Sequence, residues 1–380
     1  MTFSNVSFGD VTDNFDKKRI PLSAAQREKR QGKYRYYGAQ GVIDLVDDYI
    51  FDGTYLLIAE DGENLKSKKS NIAQLASGKF WVNNHAHVIQ CKKGYDIRYL
   101  CYLINLTDLS GYITGSAQPK LSQSSMNAIV LPMPKFEIQK EVADFIEKFD
   151  KKIQINEKVN DNLEQQAATY FQELFINNAN PVWQISTISD LGTVVGGSTP
   201  SKTKPEYYTN NGIAWITPKD LSINKSKFIS HGENDITELG LKNSSATVMP
   251  KGTVLFSSRA PIGYIAIASN EVTTNQGFKS VIPYSEIGTA FVYFFLKHSL
   301  PVIESAASGS TFKEISGSAM KNIPAIIPDR NTLDQFNSFC APIFAQQKIL
   351  EEQNHSLAML RDSLLPKLMF GAIDIASIQL

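Results

Sequence analysis

Between Pro134 and Pro181 the chain has neither glycine nor proline, and residues 135–177 carry apolar side chains in alternating steps of three and four: Ile138, Val142, Phe145, Phe149, Val159, Leu163, Tyr170 and Leu174. Lys152, Asn156 and Gln166 fall on the same seam. A repeat of period 3.5 marks a helix that lies along another helix. At 1.5 Å of rise per residue the stretch makes a rod on the order of 60 Å long. A rod of that width cannot hide its own stripe, so it needs a partner.

The same chain supplies one. A shift of 194 residues lays Gly115-Ser116 on Gly309-Ser310 and Pro134 on Pro328. It also matches Phe145 with Phe339, Ile155 with Ile349, Glu157 with Glu351, Asn160 with Asn354, Leu163 with Leu357 and Leu174 with Leu368. The shifted seam reads Phe336, Phe339, Ile343, Leu350, Leu357, Leu360, Leu364 and Leu368, with Gln346 and Gln353 as polar exceptions. Upstream, Tyr99 meets Tyr293. The pattern is a tandem duplication in which each half ends in a rod. The first rod carries the chain out of one globular part and the second returns it, so pairing the seams makes the rods antiparallel.

The expected fold class is α+β: two mixed α/β domains separated by two long antiparallel helices with pseudo-two-fold symmetry. The expected boundaries are 1–134 and 178–328 for the globular parts and 135–177 and 329–380 for the helices. Short β-branched runs at 42–46 and 55–58, punctuated by Gly38, Gly41, Gly53 and Gly62, predict strands with tight turns. Residues 79–90 read as one further strand and residues 96–106 as a helix. The second part repeats these signals, with strand-like runs at 254–268 and 273–283 and a helix near 288–300. Pro342 is expected to interrupt the second rod, and Pro366 with Gly371 to kink or end it.

A chain of 380 residues with 42 % hydrophobic content is long enough for two or three packed domains. No apolar run reaches the roughly 18 residues a membrane span needs, and MTFSNVSFGD lacks the basic start and apolar core of a signal peptide. Three widely spaced cysteines suit a reducing cytoplasm rather than a disulfide scaffold. The net charge is zero, yet its distribution is uneven. Residues 1–134 hold 16 basic against 13 acidic side chains, whereas residues 135–177 hold 6 against 9. Residues 17–35 concentrate eight basic side chains, Lys18, Arg19, Arg27 and Arg30 among them, against Glu28 alone. Such a stretch suits phosphates or a solvated face.

Catalytic motifs do not emerge. GGSTPSKTK (196–204) has its lysines in the wrong places for a phosphate loop, and the Asn/Asp-Pro-Pro-aromatic motif of an amino-methyltransferase is missing. His85 and His87 alternate on the expected strand, but spacing fixes no third metal ligand. Asp150-Lys151-Lys152 resembles the end of a nuclease motif without a partner carboxylate in register.

What stands out instead are side chains that read nucleic acid without altering it. Asn83 and Asn84 in the first half correspond to Asn275 and Gln276 in the second. Amides of this kind pair bidentately with adenine, as Arg19 or Arg259 does with guanine. Gly115-Ser116 and Gly309-Ser310, followed by Lys120 and Lys313, are turns suited to phosphate. The remaining candidates are Tyr36, His85, Ser198, Lys202 and Lys219. No residue is assigned to catalysis, a metal or a cofactor.

The order of these pieces resembles the DNA-specificity subunit of type I restriction-modification systems. The carriers are KRIPLS (18–23), YYGAQGVIDLVDDYIFDG (36–53), VNNHAHV (82–88), GSAQPKL (115–121), the rod at 138–175, IAWITPKDL (213–221), SSRAPIGYIAI (257–267), TNQGF (274–278) and RDSLLPKLMFGAI (361–373). The resemblance implies two target-recognition domains reading the halves of a split site on double-stranded DNA, with the rods setting the gap. It also implies two methyltransferase subunits using S-adenosylmethionine, motor-nuclease subunits using ATP and Mg2+, and no cofactor in this chain. The rival readings are a stand-alone DNA methyltransferase or nuclease, which the missing motifs disfavour, and a coiled-coil structural adapter.

Overall fold

The chain is described from a computed structural model, covering residues 2–116, 118–309, 313–375 and 378. It divides into two compact units. The first takes residues up to Lys152 together with those from Ser356 onward; the second is Ile153–His355. Each unit therefore holds part of both long helices, the central helix Phe136–Gln172 and the distal helix Arg330–Met369.

In the first unit β1 (Phe3–Ser7) pairs antiparallel with β8 (Val130–Pro134). The main sheet is built from β2 (Thr12–Asn14), β3 (Gln31–Gly38), β4 (Gly41–Val46), β5 (Phe51–Ala59), β6 (Ala73–Val82) and β7 (Ala86–Cys91). Its strand order is β2-β7-β5-β6-β3-β4. Alternation along β5 sends successive side chains to opposite faces. Leu56 and Ile58 join the core under the helix Ile97–Leu106, and Tyr55 and Leu57 join Tyr37, Phe51 and Phe80 on the other face. That helix starts where Asp96 accepts from the backbone N–H of Arg98 and Tyr99, satisfying otherwise orphan donors. The central helix lays Val142, Ala143, Phe145, Ile146 and Phe149 on the same core, and Leu368 and Met369 of the distal helix close it. Arg361 meets Asp150 at 2.6 Å.

The second unit has more sheets. β9 (Gln184–Thr187) pairs with β19 (Pro324–Ile327). A five-stranded sheet runs in the order β10 (Gly192–Gly196), β18 (Lys279–Pro283), β15 (Val254–Ser258), β16 (Ile262–Ala268), β13 (Phe228–Ile229). A four-stranded one runs β11 (Tyr208–Thr209), β14 (Asn234–Ile236), β12 (Ile213–Ile216), β17 (Thr273–Thr274). The helix Thr289–His298 buries Phe291, Phe294 and Phe295 against Phe171 and Phe336 of the two long helices and Phe175 of the π-helical turn Glu173–Asn177 that extends the first. Full burial of each such ring contributes about 1.5–3 kcal/mol.

Within the second unit the long helices run antiparallel. Tyr170 stacks near Phe339 with ring centroids 4.6 Å apart, the Gln347 side chain donates to the Asn160 carbonyl at 3.1 Å, and Asn156 Nδ2 donates to Asn354 Oδ1 at 2.8 Å. The buried line departs from the expected heptad seam beyond Asn156. Burial follows the expected seam through Val142, Phe145, Phe149 and Asn156; beyond it Val159 is exposed and burial passes through Ala167 and Phe171. From Val142 to Phe171 is about eight turns of 3.6 residues, the period of a straight helix rather than of a supercoil. The helix follows that line because most of its buried face packs on globular cores as well as on its partner.

Other departures have local causes. Residues 79–90 form two strands, because Asn83–His85 turn the chain from β6 to β7 on opposite sides of β5. Residues 254–268 likewise form a hairpin. The distal helix runs unbroken through Pro342 and Pro366. Each proline removes one backbone donor, and the carbonyls it frees belong to the exposed residues Ser338 and Asp362, on the side open to solvent. Gly371, at φ 71°, ends that helix as expected. Cys101 and Cys340 are free and buried, with their thiols pushed up to about 12 by desolvation.

Candidate nucleic-acid interface

The duplication reappears as matched geometry inside each unit. β6 runs parallel to β3 with Val82 opposite Tyr37, and β17 runs parallel to β12 with Thr274 opposite Ile216. The next residue is an asparagine in both cases. Asn83 N–H donates to the Tyr37 carbonyl and Asn275 N–H to the Ile216 carbonyl, each at 3.0 Å. Asn83 Oδ1 then accepts from His85 N–H at 2.8 Å, as Asn275 Oδ1 does from Gly277 N–H at 2.9 Å. An asparagine that folds back on the backbone two residues ahead makes a tight turn at a strand end. Because a backbone donor can meet only the oxygen, the orientation of each amide is fixed. Each Nδ2 is left without an acceptor among the described residues. Each Oδ1 accepts one bond and keeps a second lone pair, so each amide retains an acceptor beside its Nδ2 donors.

A second matched feature lies beside each turn. Thr114 bridges Lys120 and Lys120 bridges Asp61; Ser308 bridges Glu314 and Glu314 bridges Arg259. Short helices follow, capped by Ser122 and Ser316.

In the first unit these elements gather Arg19, Asn84, His85 and Lys120. Arg19 donates to Glu60 at 2.9 Å and to the carbonyls of Ala86 at 2.7 Å and Asn84 at 3.4 Å. Lys120 Nζ is 3.2 Å from Glu60, and the His85 ring 2.8 Å from Asp61. Beneath them His87 is buried, with Nδ1 2.5 Å from Asp16 and Nε2 2.8 Å from the Leu121 carbonyl. Burial pushes the Asp16 carboxyl up, but the His87 ring, Asn14 and the Val88 N–H outweigh it and hold the group below its ordinary range. Burial acts on Glu60 in the same sense and is outweighed by Arg19, His87 and Lys120. Asp16, Glu60 and His87 bring ligand atoms within 4.8 Å of one another. Arg19 and Lys120 already balance their charge, so the cluster reads as a brace under the turn. His85 and His87 do not share a site.

Three of the eight basic side chains of the stretch 17–35, Arg19, Arg27 and Arg30, pair with carboxylates distant in sequence. Arg27 meets Asp44 at 2.8 Å over the Tyr36 ring, and Arg30 meets Asp47 at 2.8 Å over the Trp81 ring. Tyr36 is fully buried, its hydroxyl accepting from Leu22 N–H at 2.8 Å. Lys18 stays exposed over Phe15. Ser116 is exposed, but its carbonyl and that of Gly115 accept from Lys66, a residue sequence reasoning passed over.

In the second unit Ser198 N–H donates to the Thr274 carbonyl at 2.9 Å, and Thr199 donates to Gln276, so Ser198, Asn275 and Gln276 come together. Pro218 abuts Gly277 and places Lys219 near the same turn, where it pairs with Glu233. Arg259 pairs with Glu314 at 3.2 Å. Lys202 and Lys313 are exposed, and Ser310 lies outside the described residues. Thr199 was the missed member here; a threonine inside GGSTPSK gave no signal apart from its position. Asp150, the nuclease-like residue, is held by Arg361 and by the Tyr102 hydroxyl at 2.7 Å.

The sequence matches the type I restriction modification DNA specificity domain over residues 2–165 and again over 181–354. It is 43% identical over 162 residues to the type I restriction enzyme MjaIX specificity subunit of Methanocaldococcus jannaschii, covering 42% of this chain and 37% of that one. That alignment thus spans little more than a third of the relative's length. With the HindI specificity subunit of Haemophilus influenzae it shares 23% identity over 331 residues, 67% of this chain and 71% of that subunit. Among solved structures, the S subunit of the type I restriction-modification system from M. genitalium has the same fold, with a TM-score of 0.63 and 15% identity over 97% of this chain and 96% of that one. Matched twice along its length, once in each unit that carries an asparagine turn, the chain belongs to the type I restriction-modification DNA specificity family.

Proposed function

We propose that this chain is the DNA-reading subunit of a type I restriction-modification complex, that it recognises a two-part target with one unit per half, and that it performs no catalysis itself. The observation that carries the reading is the pair of asparagine turns at equivalent strand ends, one in each unit. Each amide keeps an Nδ2 without an acceptor among the described residues, on a largely buried Asn83 and a half-buried Asn275, and exposed lysines lie in the same unit. Asn84, His85, Ser116, Lys120 and Lys18 serve the first half, and Ser198, Lys202, Lys219, Gln276 and Lys313 the second. Arg19, Arg27, Arg30 and Arg259 are tied to carboxylates and shape the surface, giving up a partner where a phosphate competes. Two methyltransferase subunits binding S-adenosylmethionine and motor-nuclease subunits using ATP and Mg2+ supply the chemistry, acting on double-stranded DNA in the cytoplasm. Among the described residues no helix is long and apolar enough to cross a membrane.

Mapping methylated adenines in a host that carries this chain with its methyltransferase partner tests the reading. A split motif with an invariant gap is expected. A contiguous motif, or methyl transfer or cleavage by the purified chain alone, overturns it.

Asn83→Asp and Asn275→Asp keep the oxygen that holds the turn and remove the uncommitted Nδ2 donor. Each is expected to weaken binding by about 1–3 kcal/mol at its own half-site only. Titrations on duplexes altered in one half at a time measure this. Equal weakening on every duplex would remove both residues from base reading.

A further inference from the structure

The edge strand β4 carries a feature the charged and amide residues do not explain. Val42 (48% exposed), Ile43 (52%) and Leu45 (45%) form an aliphatic strip in the open. Burial of these side chains is worth more than their exposure, so a strip left in water at a sheet edge asks for a reason. Two observations say what faces it. A Cβ placed on Gly38 would lie 3.2 and 3.3 Å from Cγ2 and Cδ1 of Ile43 and 3.5 Å from Nδ2 of Asn83. Ile43 thus flanks the amide whose donor has no acceptor among the described residues. The polar surroundings are also cationic. Leu45 lies in register with the exposed Arg35, while the strand's own carboxylate, Asp44, is taken by Arg27 and Gln31.

A methyl-bearing side chain beside a fixed amide donor, in basic surroundings, matches one edge in the DNA major groove. Thymine there presents its 5-methyl group next to the O4 acceptor, and no other base offers an apolar group in that groove. We propose that Ile43 is a specificity-determining residue of the first unit and reads a thymine methyl next to the position contacted by Asn83. This rests on the reading of the chain as a DNA-specificity subunit and adds the base that its first half must contain.

The test uses the full chain with its methyltransferase partner and duplexes carrying the mapped target, in which each thymine of a half-site is replaced singly by deoxyuridine. Loss of one buried methyl corresponds to about fourfold in affinity. One deoxyuridine position, in one half-site, is expected to weaken binding by that factor. Ile43→Ala is expected to lose the same factor on the thymine duplex and to become indifferent to deoxyuridine there. Binding that discriminates both half-sites yet ignores every deoxyuridine overturns the proposal. So does an unchanged deoxyuridine effect in Ile43→Ala accompanied by a shift in its mass in solution, which would assign the strip to a protein partner. Binding without any sequence preference would instead remove the specificity reading on which the proposal stands.

Discussion

Glu164→Gln is expected to lower the stability of the second unit by about 3–5 kcal/mol, the range for removing one partner of a buried ion pair, and Lys227→Met in the same chain to restore most of it. Lys227 lies just before β13 and is buried, its ammonium in contact with Glu164 of the central helix and 2.6 Å from Gln347 Oε1 of the distal helix. The rings of Phe344 and Tyr293 face it at 4.1 and 4.7 Å. Its backbone N–H and that of Phe228 donate to Glu351 at 2.8 and 3.1 Å. One lysine therefore fastens a strand to both long helices. Without Glu164 the ammonium is left with an amide, ring faces and the field of Glu351, whose carboxylate is held by backbone N–H groups, and these do not replace a direct partner. Burial, with Lys297 nearby, holds Lys227 below the ordinary lysine range, against the pull of Glu164. A methionine of similar length removes the charge and keeps the packing.

The pH dependence has a definite sign. Desolvation raises Glu164, and Lys227 and Lys297 outweigh it, so its folded value is lowered. A carboxyl with a lowered folded value adds stability that is fully present above the ordinary glutamate range and is lost as the pH falls through the folded value. Denaturant titrations of wild type and Glu164→Gln should therefore converge as the pH is taken well below about 4.5, near the free glutamate range. A constant difference down to acid would mean that packing, not charge, accounts for the loss.

None of that cluster was readable from the chain. Lys227, Glu164 and Glu351 are far apart in sequence, and no local pattern marks a lysine for burial. The same holds for Asp44, Asp47 and Glu60, which the fold brings to Arg27, Arg30 and Arg19. Local chemistry was legible where the chain itself fixes it. The Gly- and Pro-free rod, the helix expected at 96–106 and Gly371 are set by neighbours along the chain. The duplication was legible for a different reason: a repeat needs no physical inference to detect, and its shift of 194 lays Thr114 and Lys120 on Ser308 and Glu314, which form the matched bridges. Pro342 misled because propensity ignores which side of a helix faces water. The strict heptad misled because it presumes the other rod is the sole partner, whereas Phe171 packs on Phe291 and Phe294 as well.

Under the proposed function, deleting residues 153–159 from the central helix and 352–358 from the distal helix is expected to shorten the gap between the two half-sites while leaving the bases read in each unchanged. The deletions remove the Asn156–Asn354 contact and its neighbours, yet retain Arg361 with Asp150 on one side and Gln347 with Asn160 on the other. Seven residues make nearly two turns, so the residues beyond each junction rotate by only about 20° and keep their buried faces. The helix loses about 10 Å, which corresponds to roughly three base-pair steps along the duplex at 3.4 Å each. Three steps also turn the duplex by roughly 100° at 10 to 10.5 base pairs per turn, so DNA twisting takes up part of the mismatch and lowers affinity for the new target. Methylation mapping of the doubly deleted chain beside wild type reads both quantities. The same gap in both maps would mean that the helices do not measure the target, and the spacing would have to be set by the methyltransferase partners instead.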